Sequence, residues 1–263
     1  MSQNFFQLLK NENPLKIVGT INAFSALLAK RKGHQAIYLS GAGVANASYG
    51  LPDLALTSRD NVLEDLRRIK GVCDLPILVD CDTGWGSGLN ISKTIKEMIN
   101  AGADAVHLED QVSEKRCGHR PGKEIVSSDE MEDRIKAAKD SIDNKNFMLM
   151  ARTDAFSKEG INSVIDRSNA YIEAGADSIF PEAITKLEDY FEVSKNVNAP
   201  ILANITEFGL TPMFGINELK NSGVKMILYP LSAFRAMSKA AEEIYEELAE
   251  QETLKNKLKK MQS

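Results

Sequence analysis

One cysteine lies in an unusually basic stretch of the chain. Residues 114–123 read EKRCGHRPGK, so Cys117 has two cations before it and a histidine, an arginine and a lysine after it. Neighbouring positive charge favours a thiolate, and a thiol poised near neutral pH can act as nucleophile, general base or general acid. Gly118 and Gly122 would let the segment move as a lid. The alternative, from the residues alone, is a basic surface loop with an incidental cysteine.

Acidic side chains form a second candidate site. Asp80 and Asp82 are two residues apart in a predicted strand, so their side chains share one face and can reach one site. Together with Glu109 and Asp53 they offer only hard oxygen ligands, which select Mg²⁺ or Mn²⁺ over zinc. The alternative for any one of them is that it caps the helix that follows. Four carboxylates converging on one place favour a cation, because unpaired buried charges are costly.

Donors for an acidic substrate follow other predicted strands: Arg152, Asn204, Thr206 and Arg235. An arginine can bind a carboxylate through two parallel N–H groups. For Arg152 the alternative is a salt bridge to Glu182 or Asp154. The glycine-rich segment at residues 40–43 could present backbone N–H groups to an anion, and a tight turn alone would also explain its glycines.

These residues need a scaffold that brings strand ends together. Short β-branched runs predict eight strands, at residues 16–22, 35–41, 76–82, 105–110, 147–154, 178–183, 200–206 and 226–232. Amphipathic periodicity predicts helices at residues 90–101, 128–141, 161–174, 185–197 and 216–221, and a long final helix over 233–260. Strands that alternate with helices must pair in parallel, which places the functional side chains at the carboxyl ends of the strands.

The number of repeating units decides between two α/β architectures. Eight units in about 250 residues fit a closed barrel, and the first strand is not followed by the GxGxxG phosphate loop of a doubly wound sheet. The segments NAGADAVHLED and EAGADSIFPEA repeat the same helix-to-strand join. The predicted fold is therefore a (β/α)8 TIM barrel, as one domain over residues 1–263, with a C-terminal helical extension from about residue 233.

Composition restricts the partners and the compartment. The formal net charge of −5 and the pI of about 5.4 give no positive field for nucleic acid or an anionic membrane. No apolar run approaches the roughly 18 to 20 residues of a membrane helix, and the first residues do not read as a signal peptide. The three cysteines are far apart and unpaired in pattern, which predicts free thiols in a cytoplasmic protein.

Eight motifs together carry a family resemblance over nearly the whole chain: YLSGAG, LPDL, LVDCDTGWG, EDQVSEKRCGHRPGK, MARTDA, FPEA, LANITEFG and LYPLSAFRAM. The chain resembles the isocitrate lyase superfamily, and within it the 2-methylisocitrate lyase branch. The resemblance implies a Mg²⁺-dependent (β/α)8 barrel, with Mn²⁺ as a substitute, and a homotetramer built as a dimer of dimers with the C-terminal helix swapped between subunits. It also implies a place in the methylcitrate cycle of propionate breakdown.

The same resemblance assigns residues by position. The implied metal site comprises Asp80 and Asp82, with Asp53 and Glu109 in an outer shell. The implied catalytic residues are Cys117, Tyr38 and His119. The implied substrate-binding residues are Ser40, Gly41, Ala42, Gly118, Arg152, Glu182, Asn204, Ile205, Thr206 and Arg235. Either Tyr38 or a metal-side carboxylate would remove the substrate hydroxyl proton.

The activity implied is cleavage of the tricarboxylate 2-methylisocitrate to pyruvate and succinate, with Cys117 donating the proton that completes succinate. A methyl pocket would be formed by Phe180, Leu228 and Pro230. The alternatives are an isocitrate or 2,3-dimethylmalate lyase of the same superfamily, or a non-catalytic relative that senses redox state through Cys117. Members of the family continue past the position of Ser263 with a segment that contacts substrate and a neighbouring subunit, so activity and assembly would depend on that segment.

Overall fold

Eight parallel strands form the centre of the fold. The computed structural model describes residues 4–250 and 253–263. Its strands are β1 (Leu15–Gly19), β2 (Ala36–Leu39), β3 (Ile77–Asp80), β4 (Ala105–Glu109), β5 (Met148–Thr153), β6 (Ser178–Pro181), β7 (Leu202–Asn204) and β8 (Met226–Tyr229). They pair in the order β6-β5-β4-β3-β2-β1-β8-β7. A single bridge between Ile179 and Ile201 joins β6 to β7 and closes the ring, so the predicted (β/α)8 barrel is confirmed.

Helices surround the barrel in the expected alternation. They are α1 (Phe5–Asn11), α2 (Ala23–Arg31), α3 (Gly41–Gly43), α4 (Arg59–Lys70), α5 (Gly88–Asn100), α6 (Ser128–Lys139), α7 (Phe156–Glu173), α8 (Leu187–Asn196), α9 (Ile216–Asn221) and α10 (Ser232–Glu250). The short α3 continues directly into a π-helical turn, Val44–Ser48. No helix among the residues described combines the length and apolar character that crossing a bilayer requires.

Alternation along the strands creates two apolar layers. Met148 and Met150 of β5 point into the barrel, whereas Leu149 and Ala151 point outward against the helices. Helix α1 covers the amino end of the barrel, where its Phe5 and Leu8 are fully buried among the interior side chains. Because α1 closes the amino end of the barrel, the polar residues at the carboxyl ends of the strands lie at the opposite, open end.

The repeated Gly-Ala-Asp join makes the same contacts in both places. After Gly102 (φ 96°), the Asp104 carboxylate accepts the Ile77 N–H at 3.0 Å and faces Lys70 at 3.2 Å. After Gly175 (φ 116°), the Asp177 carboxylate accepts the Leu149 N–H at 2.9 Å and faces Lys139 at 3.0 Å. The positive φ values favour glycine, and each aspartate ties the start of its own strand to the preceding one.

The predicted final helix is shorter than expected. Helix α10 ends at Glu250, residues 251–252 lie outside the described residues, and Lys255–Lys260 forms a 3₁₀-helix. Lys257 Nζ lies 3.3 Å from Glu247 Oε2, whereas ten residues of continuous helix would separate them by about 15 Å. The chain therefore reverses direction after α10, and the prediction of one helix over 233–260 is wrong. None of the residues of α10, all of which are described, is buried.

Candidate active site

A cavity of about 290 Å³ opens at the carboxyl ends of the strands. Its walls come from residues at or just after the ends of β2, β3, β5, β6, β7 and β8, and from the start of α10. The segment between β4 and α6 adds the remaining wall; we call residues 111–126 the Cys117 loop. A bridge between Gln111 and Ile125 closes the base of this loop. Polar strand ends and a basic loop therefore face one enclosed volume.

Two backbone N–H groups hold the Asp80 carboxylate in place. Its Oδ2 accepts the Gly41 N–H at 3.0 Å, and its Oδ1 accepts the Asp82 N–H at 3.1 Å. A Cβ at position 41 would lie 3.2 Å from oxygens of both Asp80 and Asp82, so a larger residue there would push against the two carboxylates. Burial alone would raise the pKa of Asp80, but nearby positive charges outweigh it and hold the pKa at about 2.

Lys115 lies between two other carboxylates. Its Nζ is 2.6 Å from Asp53 Oδ1 and 2.9 Å from Asp82 Oδ1. Burial, together with the charge of Asp80, raises the pKa of Asp82 to about 6 although Lys115 opposes the shift. Burial also raises the pKa of Glu109 well above its usual value. The ionised forms of Asp82 and Glu109 are therefore disfavoured, because the nearby cations do not fully offset their burial.

The donor set fits a hard divalent cation. Glu109 Oε1 is buried and makes no hydrogen bond in the part of the chain that is described, whereas Asp82 Oδ1 is paired with the Lys115 ammonium group. Within that part, no three His, Cys, Asp or Glu side chains are already gathered around one point as metal ligands. Four carboxylates offer only hard oxygen donors, which suit Mg²⁺ better than zinc.

Tyr38 lies beneath these carboxylates inside the barrel. Its hydroxyl is 2.9 Å from His107 Nε2 and 3.2 Å from Asp80 Oδ2. Burial raises the pKa of the phenol well above its usual value, and the charge of Asp80 adds to the shift. Burial lowers the pKa of His107 to about 4, so at neutral pH Lys115 and Arg152 are the cations that keep Asp80 ionised. A phenol held protonated in this way suits a donor rather than a base.

Arg152, on the opposite wall of the cavity, is paired with the carboxylates of Asp154 and Glu182. Its Nε donates to Asp154 Oδ2 at 2.9 Å and its Nη2 donates to Asp154 Oδ1 at 3.2 Å. Nη2 also lies 3.2 Å from Glu182 Oε2, and the guanidinium carbon lies 5.1 Å from the centre of the Phe180 ring. Nη1 makes no hydrogen bond to any residue described in the structure. The salt bridges considered as an alternative are thus present, and they leave one nitrogen for a ligand.

The cations of the Cys117 loop face carboxylates rather than the thiol. Lys115 contacts Asp53 and Asp82 as above, and Lys123 Nζ lies 2.7 Å from Asp154 Oδ1. Burial raises the pKa of Cys117, although the His119 N–H lowers it in part. The expectation that the surrounding cations favour the thiolate is therefore wrong, because burial of the thiol outweighs them and the two lysines of the loop pair with carboxylates instead. The thiol lines the cavity in its protonated form.

The remaining donors lie near β7 and the start of α10. Asn204 Nδ2 lies 3.3 Å from both oxygens of Glu182, and its Oδ1 is buried without a partner among the described residues. Arg235 Nη1 donates to Thr206 Oγ1 at 3.0 Å and to the Glu207 carboxylate at 2.9 Å. These donors complete a wall of amide and guanidinium groups beside the thiol.

The structure brings most of the predicted site residues together. Those that line the cavity are Tyr38, Ser40, Ala42, Asp53, Asp80, Cys117, Gly118, His119, Arg152, Glu182, Asn204, Thr206 and Arg235. The three residues proposed for a methyl pocket, Phe180, Leu228 and Pro230, line it too. Asp82, Glu109 and Gly41 lie behind this lining and contact it through Lys115, Arg152 and Asp80.

Ile205 does not reach the cavity. Its side chain is fully buried in the apolar layer outside the barrel, because neighbouring residues of an extended segment point to opposite faces. The ion pair with Asp154 that was considered for Arg152 is present, as expected for alternate strand residues that share a face. Lys123 and Glu207 were not predicted as part of the site's charge balance.

Comparison with known proteins agrees with this architecture. A family model described as phosphoenolpyruvate phosphomutase matches residues 5–249. A 2-methylisocitrate lyase of Escherichia coli is 56% identical over 98% of this chain and 88% of its own length. A 2-methylisocitrate lyase of Salmonella typhimurium is 56% identical over 99% of this chain and 89% of its own.

A solved structure extends the comparison to the fold. A 2,3-dimethylmalate lyase superposes with a TM-score of 0.89 at 31% identity, covering 95% of this chain and 85% of that one. Enzymes of the superfamily that these proteins represent are generally metal-dependent. The resemblance inferred from the motifs is therefore confirmed. The chain belongs to the phosphoenolpyruvate mutase and isocitrate lyase superfamily.

Proposed function

We propose that the protein is a carbon–carbon lyase that cleaves 2-methylisocitrate to pyruvate and succinate. Relatives of that name are 56% identical over nearly the whole chain. The observation that carries the proposal is the composition of the cavity. A protonated, half-buried thiol shares it with a carboxylate wall that is short of positive charge and with an arginine that has one nitrogen free.

The proposed cofactor is Mg²⁺, with Mn²⁺ as a substitute. Asp80 and Asp82 would hold it, with Asp53 and Glu109 farther out. The oxygen-only donors of these four side chains and the unpaired, buried Glu109 Oε1 support this assignment. When bound, the cation supplies Lewis-acid chemistry, which lowers the free energy needed to remove a proton from a hydroxyl group. Lys115, which pairs with Asp53 and Asp82 in the structure, would have to yield part of that contact.

The substrate's carboxylates would bind to the opposite wall. Arg152 Nη1 is oriented by Asp154 and Glu182 and offers a charge-assisted hydrogen bond. Asn204 and Arg235 add donors along the same wall. Because these groups are already held by the protein, they need little reorganisation when negative charge develops on the succinate half during cleavage.

The thiol of Cys117 would complete the reaction as a general acid. When the C2–C3 bond breaks, its electron pair passes to the succinate half, and the thiol donates its proton to C3 to form succinate. The hydroxyl proton taken by a base later restores the neutral thiol. A raised pKa keeps the thiol protonated at neutral pH, as a donor requires. The same raised pKa counts against the redox-sensor alternative, because thiolates are the form that oxidises readily.

Substrate choice within the superfamily would depend on the apolar part of the cavity. Phe180, Leu228 and Pro230 could receive the extra methyl group of 2-methylisocitrate. A methyl group in such a pocket contributes about 1 to 3 kcal/mol of discrimination. Isocitrate would therefore be a slow substrate rather than an excluded one.

We further propose a cytoplasmic homotetramer, a dimer of dimers, acting in the methylcitrate cycle. Helix α10 supports the proposed exchange between subunits. It buries no residue on its own barrel, and its Tyr245 and Leu248 are more than half exposed. Covering such side chains in a second subunit would remove apolar surface from water.

The test is an assay of the purified protein with 2-methylisocitrate and Mg²⁺. We expect pyruvate, measured by its reduction with lactate dehydrogenase, and none after chelation of the metal. Isocitrate and 2,3-dimethylmalate, assayed at the same concentration, should react more slowly. Faster turnover of 2,3-dimethylmalate would replace the proposed substrate. No turnover of any of the three by folded protein would reject the lyase.

A further inference from the structure

Two loops meet over the cavity at one imidazole ring. His119 belongs to the Cys117 loop, and Leu210 follows a turn after β7; we call residues 206–210 the β7 turn. The Leu210 N–H lies 3.0 Å from His119 Nδ1. A backbone N–H can only donate a hydrogen bond, so Nδ1 is the acceptor and carries no proton.

The second ring nitrogen of His119 faces an acceptor. Nε2 lies 3.1 Å from Glu182 Oε1, so a proton on Nε2 is donated to that carboxylate. Asn204 Nδ2 is also 3.3 Å from Nε2, but as a donor it bonds instead to the two Glu182 oxygens. A neutral imidazole with its proton on Nε2 satisfies the contacts to the Leu210 N–H and the Glu182 carboxylate.

The approach of the Leu210 N–H to His119 Nδ1 depends on the glycine at position 209 of the β7 turn. Phe208 has a φ of 64°, and the Gly209 N–H donates to Thr206 O at 3.2 Å, which makes the turn tight. A Cβ on Gly209 would lie 2.7 Å from Thr206 Cγ2 and 3.0 Å from His119 Nδ1. An alanine would therefore force the Thr206 side chain, the turn or the imidazole to move.

The position of the imidazole is linked to that of the thiol. The Arg120 N–H donates to Cys117 O at 2.9 Å, which closes a turn containing both Cys117 and His119. The His119 side chain is only 8% exposed, so it has little room to adjust without moving this turn. A displaced ring would carry the thiol away from its place in the cavity.

We propose that Gly209 is a positioning residue for the cleavage reaction. By allowing the Leu210 N–H to approach Nδ1, it sets the tautomer of His119 and docks the turn that carries Cys117. This gives the β7 turn a part in the chemistry although it supplies no reacting group. The activity measurement below rests on the proposed function, whereas the two other measurements do not.

The test compares Gly209→Ala with Gly215→Ala as a matched control. Gly215 lies in the same connection between β7 and α9, has an ordinary φ of −72°, and its Cβ would meet only the flexible Glu218 carboxylate at 3.1 Å. We expect Gly209→Ala to lower kcat at least about tenfold with KM nearly unchanged, because Arg152 and the carboxylate wall are untouched. Gly215→Ala should stay within about twofold of the parent protein.

Two further measurements report on position rather than on turnover. Ring-¹⁵N NMR of labelled histidines, with His119 assigned through His119→Gln, should show the neutral Nε2–H tautomer in the parent protein and its loss in Gly209→Ala. Alkylation of Cys117 by iodoacetamide, followed by peptide mass spectrometry, should be about tenfold faster in Gly209→Ala because the turn no longer packs. Neither signal should change in Gly215→Ala.

A proton on Nδ1 of His119 in the parent protein would overturn the proposal, and this result needs no variant to fold. A Gly209→Ala protein that keeps the parent tautomer and the parent alkylation rate would overturn it as well. Failure of the parent protein to cleave 2-methylisocitrate would reject the proposed function, while the tautomer and alkylation results would still decide the role of Gly209.

Discussion

The two walls of the cavity balance their charges in opposite ways. The first wall consists of four carboxylates: Asp53, Asp80, Asp82 and Glu109. The second wall consists of the groups around one guanidinium: Arg152, Asp154, Glu182 and Asn204. In the first wall a single ammonium group, that of Lys115, serves two carboxylates, and the buried Glu109 Oε1 has no hydrogen bond in the described chain. In the second wall Asp154 contacts two cationic side chains, and Glu182 contacts three cationic or donor side chains.

The first wall is therefore suited to binding a cation, and the second wall to positioning a hydrogen-bond donor. Burial and the charge of Asp80 raise the pKa of Asp82 to about 6, whereas nearby positive charges hold the pKa of Asp80 at about 2, and an added cation would favour the ionised form of both. The second wall is already balanced, so its hydrogen bonds restrict Arg152 and leave only Nη1 for a ligand. The Cys117 loop joins the walls, because Lys115 pairs with the first and Lys123 with the second.

Removing the Cys117 thiol, which lies between the walls, should have the largest effect on turnover. Cys117→Ser should lower kcat by about 10²- to 10⁴-fold, the usual contribution of a general acid, because a hydroxyl is a far weaker acid. Mg²⁺ affinity, measured by isothermal titration calorimetry, should be unchanged since neither wall is altered. Cys73→Ala, which removes a buried thiol remote from the cavity, is the control and should keep nearly full turnover. Activity retained in Cys117→Ser would remove the thiol from the mechanism.

Arg152→Lys should break the second wall, while the Lys115 contacts to Asp53 and Asp82 in the first wall remain. The ammonium group cannot donate to both Asp154 oxygens and still offer a free N–H, so we expect kcat/KM to fall by about 10- to 100-fold, the loss of a charged hydrogen bond. Additional Mg²⁺ should not restore activity. Arg68→Lys, on the exposed face of α4, is the control. Restoration of Arg152→Lys by Mg²⁺ would show that the walls are not independent.

Asp53→Asn should weaken the first wall, and added Mg²⁺ should reverse its effect on activity. Removing one carboxylate from the first wall leaves Lys115 paired with Asp82 alone, and we expect Mg²⁺ affinity to fall about tenfold, as for residues that support metal ligands. Here added Mg²⁺ should restore kcat. Asp60→Asn, whose side chain is 78% exposed, is the control and should leave affinity unchanged. A fall in kcat that saturating Mg²⁺ does not reverse would contradict the assignment of cation binding to the first wall.

The sequence predicts the barrel well and the charge pairing poorly, for physical reasons. Strand positions follow from local periodicity, and the carboxyl ends of parallel strands must converge, so most site residues could be found without the structure. Pairing depends on distances across the barrel. Lys115 meets Asp53 from 62 residues away, and Lys123 meets Asp154 from 31 residues away. No local pattern distinguishes these contacts from cations directed at Cys117, which is why its pKa was expected to fall.

The final prediction concerns the pH dependence that this pairing produces, and its effect is the smallest. Burial raises the pKa of Cys117 above its ordinary value of 9.0, so the thiol keeps its proton as the pH rises through neutrality. A general acid is lost only above its pKa, so the alkaline limb of kcat should lie above pH 9, with little change due to this residue between pH 7 and 8. The midpoint of Cys117 alkylation against pH measures the same group directly. A midpoint near or below pH 8 would mean that the cations of the loop act on the thiol after all. The carboxylates of the two walls would then not neutralise those cations completely.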